Sequence, residues 1–284
     1  MSTRRSFLLP PRTTTTGRLL AEAAVWRGMD VRTLPGHPIP AEMKGHAHLY
    51  GGERFADAVA SALDMALLDP PLDLLAALPA YFTGRHVELI TLGQARRHRV
   101  PRFVKPAAGK LFPAGVRPDG TGLPSHLPAE LPVLSADLVA FAEEYRLHVL
   151  DGEVRTASRY AVSGVLDSAP LPPGHPALGF GTELLNHLAS GLPSAVVVDV
   201  GILSDSGRFA VVEANEAWFS NAYAADAERV LDVVLRAAAP AHEIRDTDRP
   251  FVRRAAETHN DDAMPSTQQP GTSRHRSAGR PAIT

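Results

Sequence analysis

Lys105 and Lys110 lie five residues apart on either side of Pro106-Ala107-Ala108-Gly109, a turn built from small residues. They stand out because Lys and Arg together number 29 and only one other lysine, Lys44, is among them. Small residues let backbone amides approach an anion, and each ammonium adds a compact point charge that a planar guanidinium does not mimic. The pair therefore suits phosphate oxygens. The turn is not a P-loop, since G-x-x-x-x-G-K-[ST] occurs nowhere in the chain.

A second group of chemically able residues is Asp199, Glu213 and Asn215. Ala195–Leu203 and Arg208–Asn215 read as strands joined at Ser204-Asp205-Ser206-Gly207, with Gly207 suited to a left-handed loop position. With Asp205–Gly207 as the loop, Ser204 pairs with Arg208 and Asp199 faces Glu213. Asn215 shares their face, because side chains repeat every second residue. Directly opposed carboxylates repel, and their neighbours are valine and alanine. A slipped register or a protonated carboxyl relieves that repulsion without a ligand. A divalent cation held by three hard oxygen donors relieves it with one, and Mg²⁺ shared with phosphates is such a cation.

A third hairpin is marked by Asp151-Gly152, the preferred two-residue turn. Pairing Leu150 with Glu153 sets Glu144 opposite Arg159 and Arg146 opposite Ala157. Glu144, Arg146, His148, Arg155 and Arg159 then share one face, either solvated or forming the wall of a polyanion cleft. Tyr145, Leu147, Val149, Val154 and Tyr160 form the inward face.

The elements that position these groups follow from periodicity. Phe7–Leu9 reads as a strand, and Leu19, Leu20, Ala23, Ala24 and Trp26 as the stripe of a helix stopped by Gly28. Met29–Leu34 alternates as a strand, Ala56–Leu68 reads as a helix, and Leu72–Leu78 as a short one. This is a small α/β lobe over residues 1–85. Strands dominate residues 86–240, with helices at Gly181–Ala189 and Asp226–Ala238. Residues 241–284 form a tail whose last thirty positions hold no aromatic residue, so it cannot offset its ordering entropy.

Composition excludes several classes. With no cysteine there is no disulfide, thiolate nucleophile or cysteine metal site. A net charge of -2 gives no basic field for nucleic acid or anionic lipid. Arg4-Arg5 near the start is followed by prolines and threonines instead of an apolar export region, and no apolar run approaches the roughly 20 residues of a membrane span. The expected location is the cytoplasm. His46-x-His48 reads as polar loop, and Trp218-Phe219 as core beside the Glu-x-Asn strand.

In this order the three features resemble the ATP-grasp superfamily, most closely a bacterial branch of ATP-grasp domain proteins. The residues carrying the likeness are Phe-Val-Lys-Pro around Lys105, Glu144-Tyr145-Arg146 with the Asp-Gly hairpin, and Ser158-Arg159-Tyr160. Asp199-Val200-Gly201, Val212-Glu213-Ala214-Asn215 and Ala217-Trp218 complete it. The resemblance implies an α+β ATP-grasp fold, with a small N-terminal α/β (pre-ATP-grasp) lobe and two antiparallel-sheet subdomains enclosing ATP. It implies that Lys105 touches the α/β-phosphates and that Gly109 and Lys110 lie in a loop closing over them. Glu144 is implied to hold the ribose, and the backbone of Leu134–Val139 to read adenine. Asp199, Glu213 and Asn215 are implied to bind one or two Mg²⁺, with Arg159 and Arg146 at the γ-phosphate. The implied activity is an ADP-forming ligase that joins a small-molecule or peptide carboxylate to an amine or thiol through an acyl phosphate. A phosphotransferase and a non-catalytic nucleotide-binding regulator are the alternatives.

Overall fold

The computed structural model describes residues 5–35, 38–189 and 191–253, and the tail from residue 254 lies outside the described residues. The chain opens with β1 (Ser6–Leu9), α1 (Thr15–Trp26), β2 (Asp30–Thr33) and β3 (Ala47–Leu49), a parallel sheet in the order β2-β1-β3. The Thr14 hydroxyl caps α1 by accepting from the Gly17 amide at 3.1 Å, and Gly28 takes a left-handed conformation just past its end. Leu20, Ala23 and Ala24 form the buried stripe, but Trp26 is 85% exposed and Leu19 36%. The stripe is narrower than the apolar sequence suggests.

Next come α2 (Glu53–Val59), β4 (Met65–Leu67), α3 (Leu74–Ala77) and α4 (Ala80–Thr83). The single helix expected over Ala56–Leu68 does not form. It stops at Val59, Asp64 turns the chain at positive φ, and Met65–Leu67 pairs antiparallel with Ala238–Pro240. That partner lies far along the chain, so no local pattern reveals the strand.

β5 (Val87–Thr91), α5 (Leu92–Ala95), β6 (Arg102–Pro106), β7 (Gly115–Arg117) and β8 (Pro132–Ala136) follow, with an antiparallel sheet in the order β5-β8-β6-β7. The last part holds β9 (Phe141–Leu150), β10 (Glu153–Val162), β11 (Val165–Pro170), α6 (Pro176–Leu188), β12 (Ala195–Leu203), β13 (Phe209–Asn215), α7 (Ala227–Ala237) and β14 (Ala238–Pro240). Its antiparallel sheet runs β11-β10-β9-β12-β13. On one face Leu147, Val149, Val196 and Val198 pack with Leu184 and Leu185 of α6. On the other, Ala195 and Val197 pack with Val233 and Ala237 of α7, whose Val230 and Val234 reach the α1 stripe. Beyond β14, Ile244 and Val252 pack against the same core, so the ordered chain extends past residue 240.

Bulges decide which residues share a face. The Asp151-Gly152 turn has both φ values positive and pairs Leu150 with Glu153, as expected. Extra residues at Arg155 and Tyr160 then shift the register, so Arg146 pairs with Ser158 and Glu144 with Ala161. Tyr160 thereby joins the Arg146 face, while Arg159 pairs with Tyr145 and joins the opposite one. In the β12–β13 hairpin the loop is one residue longer than expected, because Leu203 and not Ser204 is bonded to Arg208. A bulge between Asp199 and Val200 absorbs the difference, and Asp199 still faces Glu213.

Candidate active site

Lys105, the penultimate residue of β6, reaches across from one sheet to the other. Its Nζ donates to Glu213 Oε2 at 2.6 Å. Burial pushes the Glu213 carboxyl up, but Lys105 and the Asn215 amide outweigh it and hold the group below its ordinary value. Asn215 Nδ2 donates at 3.1 Å both to Glu213 Oε1 and to Asp199 Oδ2. Asp199 is completely buried, and Arg146 Nε and Nη2 donate to its two oxygens at 2.8 and 2.7 Å. Burial opposes the guanidinium's charge, and this carboxylate more than restores it, raising Arg146 above its ordinary value. The repulsion expected between Asp199 and Glu213 is thus countered by two cations, Arg146 from the neighbouring strand β9 and Lys105 from the other sheet, although burial still raises Asp199 above its ordinary value.

These groups line a cleft of about 720 Å³. The β6–β7 loop forms one wall with Gly109 and Lys110, and the residues after β13 form another with Glu216, Phe219 and Tyr223. Gly109 has φ +64°, which glycine adopts without strain, and a side chain there would point at Glu53. Lys110 Nζ lies 5.0 Å from the centre of the Phe219 ring, a cation–π contact that ties the loop to the far wall. A small cavity adjoins on the other side of Lys105, lined by Leu134, Glu216, Asp69 and Arg253 among others. Burial and the nearby Glu216 raise the Asp69 carboxyl to about 6, although Arg253 Nη1 donates to it at 3.0 Å.

The cleft brings together Lys105, Gly109, Lys110, Arg146, Glu213 and Asn215, with Asp199 beneath it, but not every residue singled out from the sequence. Arg159 projects from the opposite sheet face, where it pairs with Asp167 at 2.9 Å and Glu143 at 3.5 Å. The extra residue at Arg155 put it there. Glu144 lies on the Arg146 face but outside the cleft lining, accepting from the Tyr160 hydroxyl at 2.6 Å. His48 is a buried residue of β3, with Nδ1 against the carbonyls of Leu235 and Ala238, and not a loop residue. His148 is fully buried within β9 and does not reach the cleft. A larger cavity of about 820 Å³ under α7 and the β9–β10 turn contains none of the proposed phosphate or metal residues.

Glu53, Glu216, Tyr223 and Thr14 line the cleft without having been foreseen. Adjacency to Asn215 was the available clue for Glu216. For Glu53, an acid in the first turn of a helix, and for Tyr223, there was none. As hard oxygen donors facing the cleft, Glu213 and Asn215 suit magnesium, with phosphate and water supplying the remaining ligands. Asp199 fits less well, because both its oxygens already accept from Arg146. Among the described residues no group of three or more His, Cys, Asp or Glu is arranged to hold a metal.

Residues 82–233 match the model of an ATP-grasp domain family, the second family of its clade, and they make up more than half of the chain. The chain belongs to this ATP-grasp family. Its fold is also that of solved ATP-grasp proteins. One is a RimK domain ATP-grasp protein from Sphaerobacter thermophilus, 18% identical, with a TM-score of 0.51 over 82% of this chain and 100% of the other. Another is the D-alanine–D-alanine ligase from Bacillus anthracis, 12% identical, with a TM-score of 0.50 over 82% of this chain and 97% of the other. A comparison with curated protein sequences gives no match. In ATP-grasp terms, the β5-β8-β6-β7 and β11-β10-β9-β12-β13 sheets are the two antiparallel layers, and the Lys105–Glu213 contact spans them. No helix among the described residues is long and apolar enough to cross a membrane.

Proposed function

We propose that the chain is an ATP- and Mg²⁺-dependent ligase that activates a carboxylate as an acyl phosphate and transfers it to an amine or thiol. One observation carries the reading: cations from two sheets, Lys105 and Arg146, converge on Glu213, Asn215 and Asp199 at the edge of one cleft. Phosphoryl transfer needs positioned opposite charge more than a side-chain nucleophile.

Magnesium, when bound, would neutralise phosphate charge, with Glu213 and Asn215 holding it. Lys105 would exchange its carboxylate partner for nucleotide phosphates. Gly109 and Lys110 would close the loop over them. Arg146 keeps N–H groups free of Asp199 and would direct them at the phosphoryl group in transit. The substrate carboxylate oxygen attacks the γ-phosphorus as the bond to the bridging oxygen breaks and ADP leaves. The amine nitrogen then attacks the acyl carbon, phosphate departs, and the amine proton is lost to solvent. The cleft walls formed by Thr14, Glu53 and Ser220 are the proposed acceptor side. A small molecule or a peptide end would fit there.

The test is incubation with MgATP and mixtures of acids and amines, reading ADP by chromatography and products by mass. The expected result is ADP together with a product weighing acid plus amine minus water. A phosphorylated product without condensation identifies a phosphotransferase instead. MgATP binding with no ADP identifies a regulator. Glu213→Gln is expected to abolish metal-dependent nucleotide binding, and unchanged binding in that variant removes the metal assignment.

A further inference from the structure

Arg146 is held more elaborately than an ion pair requires. Asp199 takes two of its five N–H groups, Nε–H and one on Nη2, and Nη1 makes a longer bond to the Asn221 carbonyl at 3.4 Å, which leaves two N–H groups for a ligand. Two tyrosines lie against it as a stacked pair. The guanidinium carbon lies 5.0 Å from the centre of the Tyr223 ring and 5.6 Å from that of Tyr160. The two rings stack on each other at 5.1 Å and 13°. Tyr160 reaches this face through the register shift at Arg155, and its hydroxyl, kept protonated by burial and the surrounding carboxylates, donates to Glu144.

Tyr223 is the more telling of the two. Its φ is +52°, a conformation in which a bulky side chain is uncommon and which glycine or asparagine adopts at lower cost. The residue before it is tied in place twice. The Ala222 amide donates to Thr16 Oγ1 at 3.0 Å, and the Ser158 hydroxyl donates to the Ala222 carbonyl at 3.4 Å. The backbone therefore gains nothing from a tyrosine here. What the residue supplies is a ring against Arg146, at the wall of the cleft.

We propose that Tyr160 and Tyr223 are positioning residues that fix the guanidinium of Arg146 so that its remaining N–H groups point at the terminal phosphoryl group of the nucleotide. This rests on the nucleotide-binding reading above. Loss of the rings would leave Arg146 paired with Asp199 but free to tilt. The contact that suffers is the one to the third phosphate, not those made to the first two by Lys105.

The experiment compares dissociation constants of Mg-AMPPNP and MgADP, by calorimetry, for the wild type, Tyr223→Phe, Tyr223→Asn and Tyr160→Leu, with Tm recorded for each. The wild type is expected to favour Mg-AMPPNP. Tyr223→Phe is expected to keep that preference, because the ring remains. Tyr223→Asn is expected to lose about tenfold of it, the scale of one charge-assisted hydrogen bond, with MgADP affinity unchanged. Its Tm is expected to hold or rise, since asparagine tolerates the left-handed backbone. Tyr160→Leu, which leaves that backbone alone, is expected to behave like Tyr223→Asn and stands in for it if the latter does not fold. The proposal is overturned if either ring-removing variant keeps the wild-type preference, if Tyr223→Phe loses as much as Tyr223→Asn, or if the wild type binds the two nucleotides equally. Failure of the wild type to bind either nucleotide overturns the nucleotide reading itself.

Discussion

Replacing Arg146 with methionine tests whether Asp199 serves as a counter-ion. Asp199 has no exposed surface, and both of its oxygens depend on the guanidinium, with Asn215 Nδ2 as the remaining donor. Removing one partner of such a pair strands a buried charge and costs about 3–5 kcal/mol. For a chain of this size that corresponds to a fall in Tm of roughly 10 °C or more. The cost depends on pH in a defined sense. Burial already holds Asp199 above its ordinary value against the pull of Arg146, and without the guanidinium its folded-state pKa rises further above the unfolded value of about 3.9. The penalty is then complete above that raised pKa and is relieved as pH falls through it, because the buried carboxyl is protonated. Urea unfolding at pH 7.5 and 5.5 should show the gap between variant and wild type narrowing at the lower pH. The double variant Arg146→Met/Asp199→Leu should cost less than Arg146→Met alone, since it leaves no unpaired charge. A cost below about 1 kcal/mol would refute the reasoning, as would additive single and double effects or a gap that ignores pH.

Three further outcomes follow from the same residues. Lys105→Met should weaken MgATP binding about tenfold or more by calorimetry while leaving Tm within a few degrees, because the partly exposed pair with Glu213 adds little stability. His148 is fully buried, neither ring nitrogen has a hydrogen-bond partner among the described residues, and burial, then Arg146, lowers it to about 3. Its contribution is present above the unfolded pKa of about 6.5 and lost as pH falls, so between pH 7.5 and 5 the wild type should lose about 2 kcal/mol that His148→Leu retains in urea titrations. Asp69 behaves oppositely: with its carboxyl raised to about 6, its stabilising contribution is present below about 3.9 and gone above 6. Asp69→Asn should therefore raise Tm at pH 8 and leave it nearly unchanged at pH 4.

Lys105, Glu213 and Asn215 were legible because each sits on a short strand whose apolar run and turn residues are local. Asp199 opposite Glu213 was legible for a less secure reason. The loop register was off by one residue, and the bulge beside Val200 restored it. The same kind of irregularity worked the other way in β10, where the Arg155 bulge carried Arg159 off the cleft face and brought Tyr160 onto it. Bulged Arg155 bonds to Asp232 of α7, a partner distant in the chain, and alternation along one segment does not reveal such a bulge. Met65–Leu67 illustrates the matching limit for helices, as its partner is Ala238–Pro240. Glu53 and Glu216 line the cleft and Arg253 the small cavity beside it, three distant stretches whose proximity the fold alone creates.

The Lys105–Glu213 contact has a thermodynamic consequence beyond its distance. Each group occupies the place of the other's expected visitor, the ammonium standing where a divalent ion belongs and the carboxylate where a phosphate oxygen does. A metal arriving alone must displace the ammonium, and a nucleotide arriving alone must draw the ammonium from a carboxylate left bare. Arriving together, each visitor supplies the partner that the other's entry removes. Under the proposed function, metal and nucleotide are then expected to be coupled, each raising the other's affinity by the same factor, as linkage requires. A cation or anion taken singly gains little, because its entry breaks the Lys105–Glu213 pair and leaves one member without its partner.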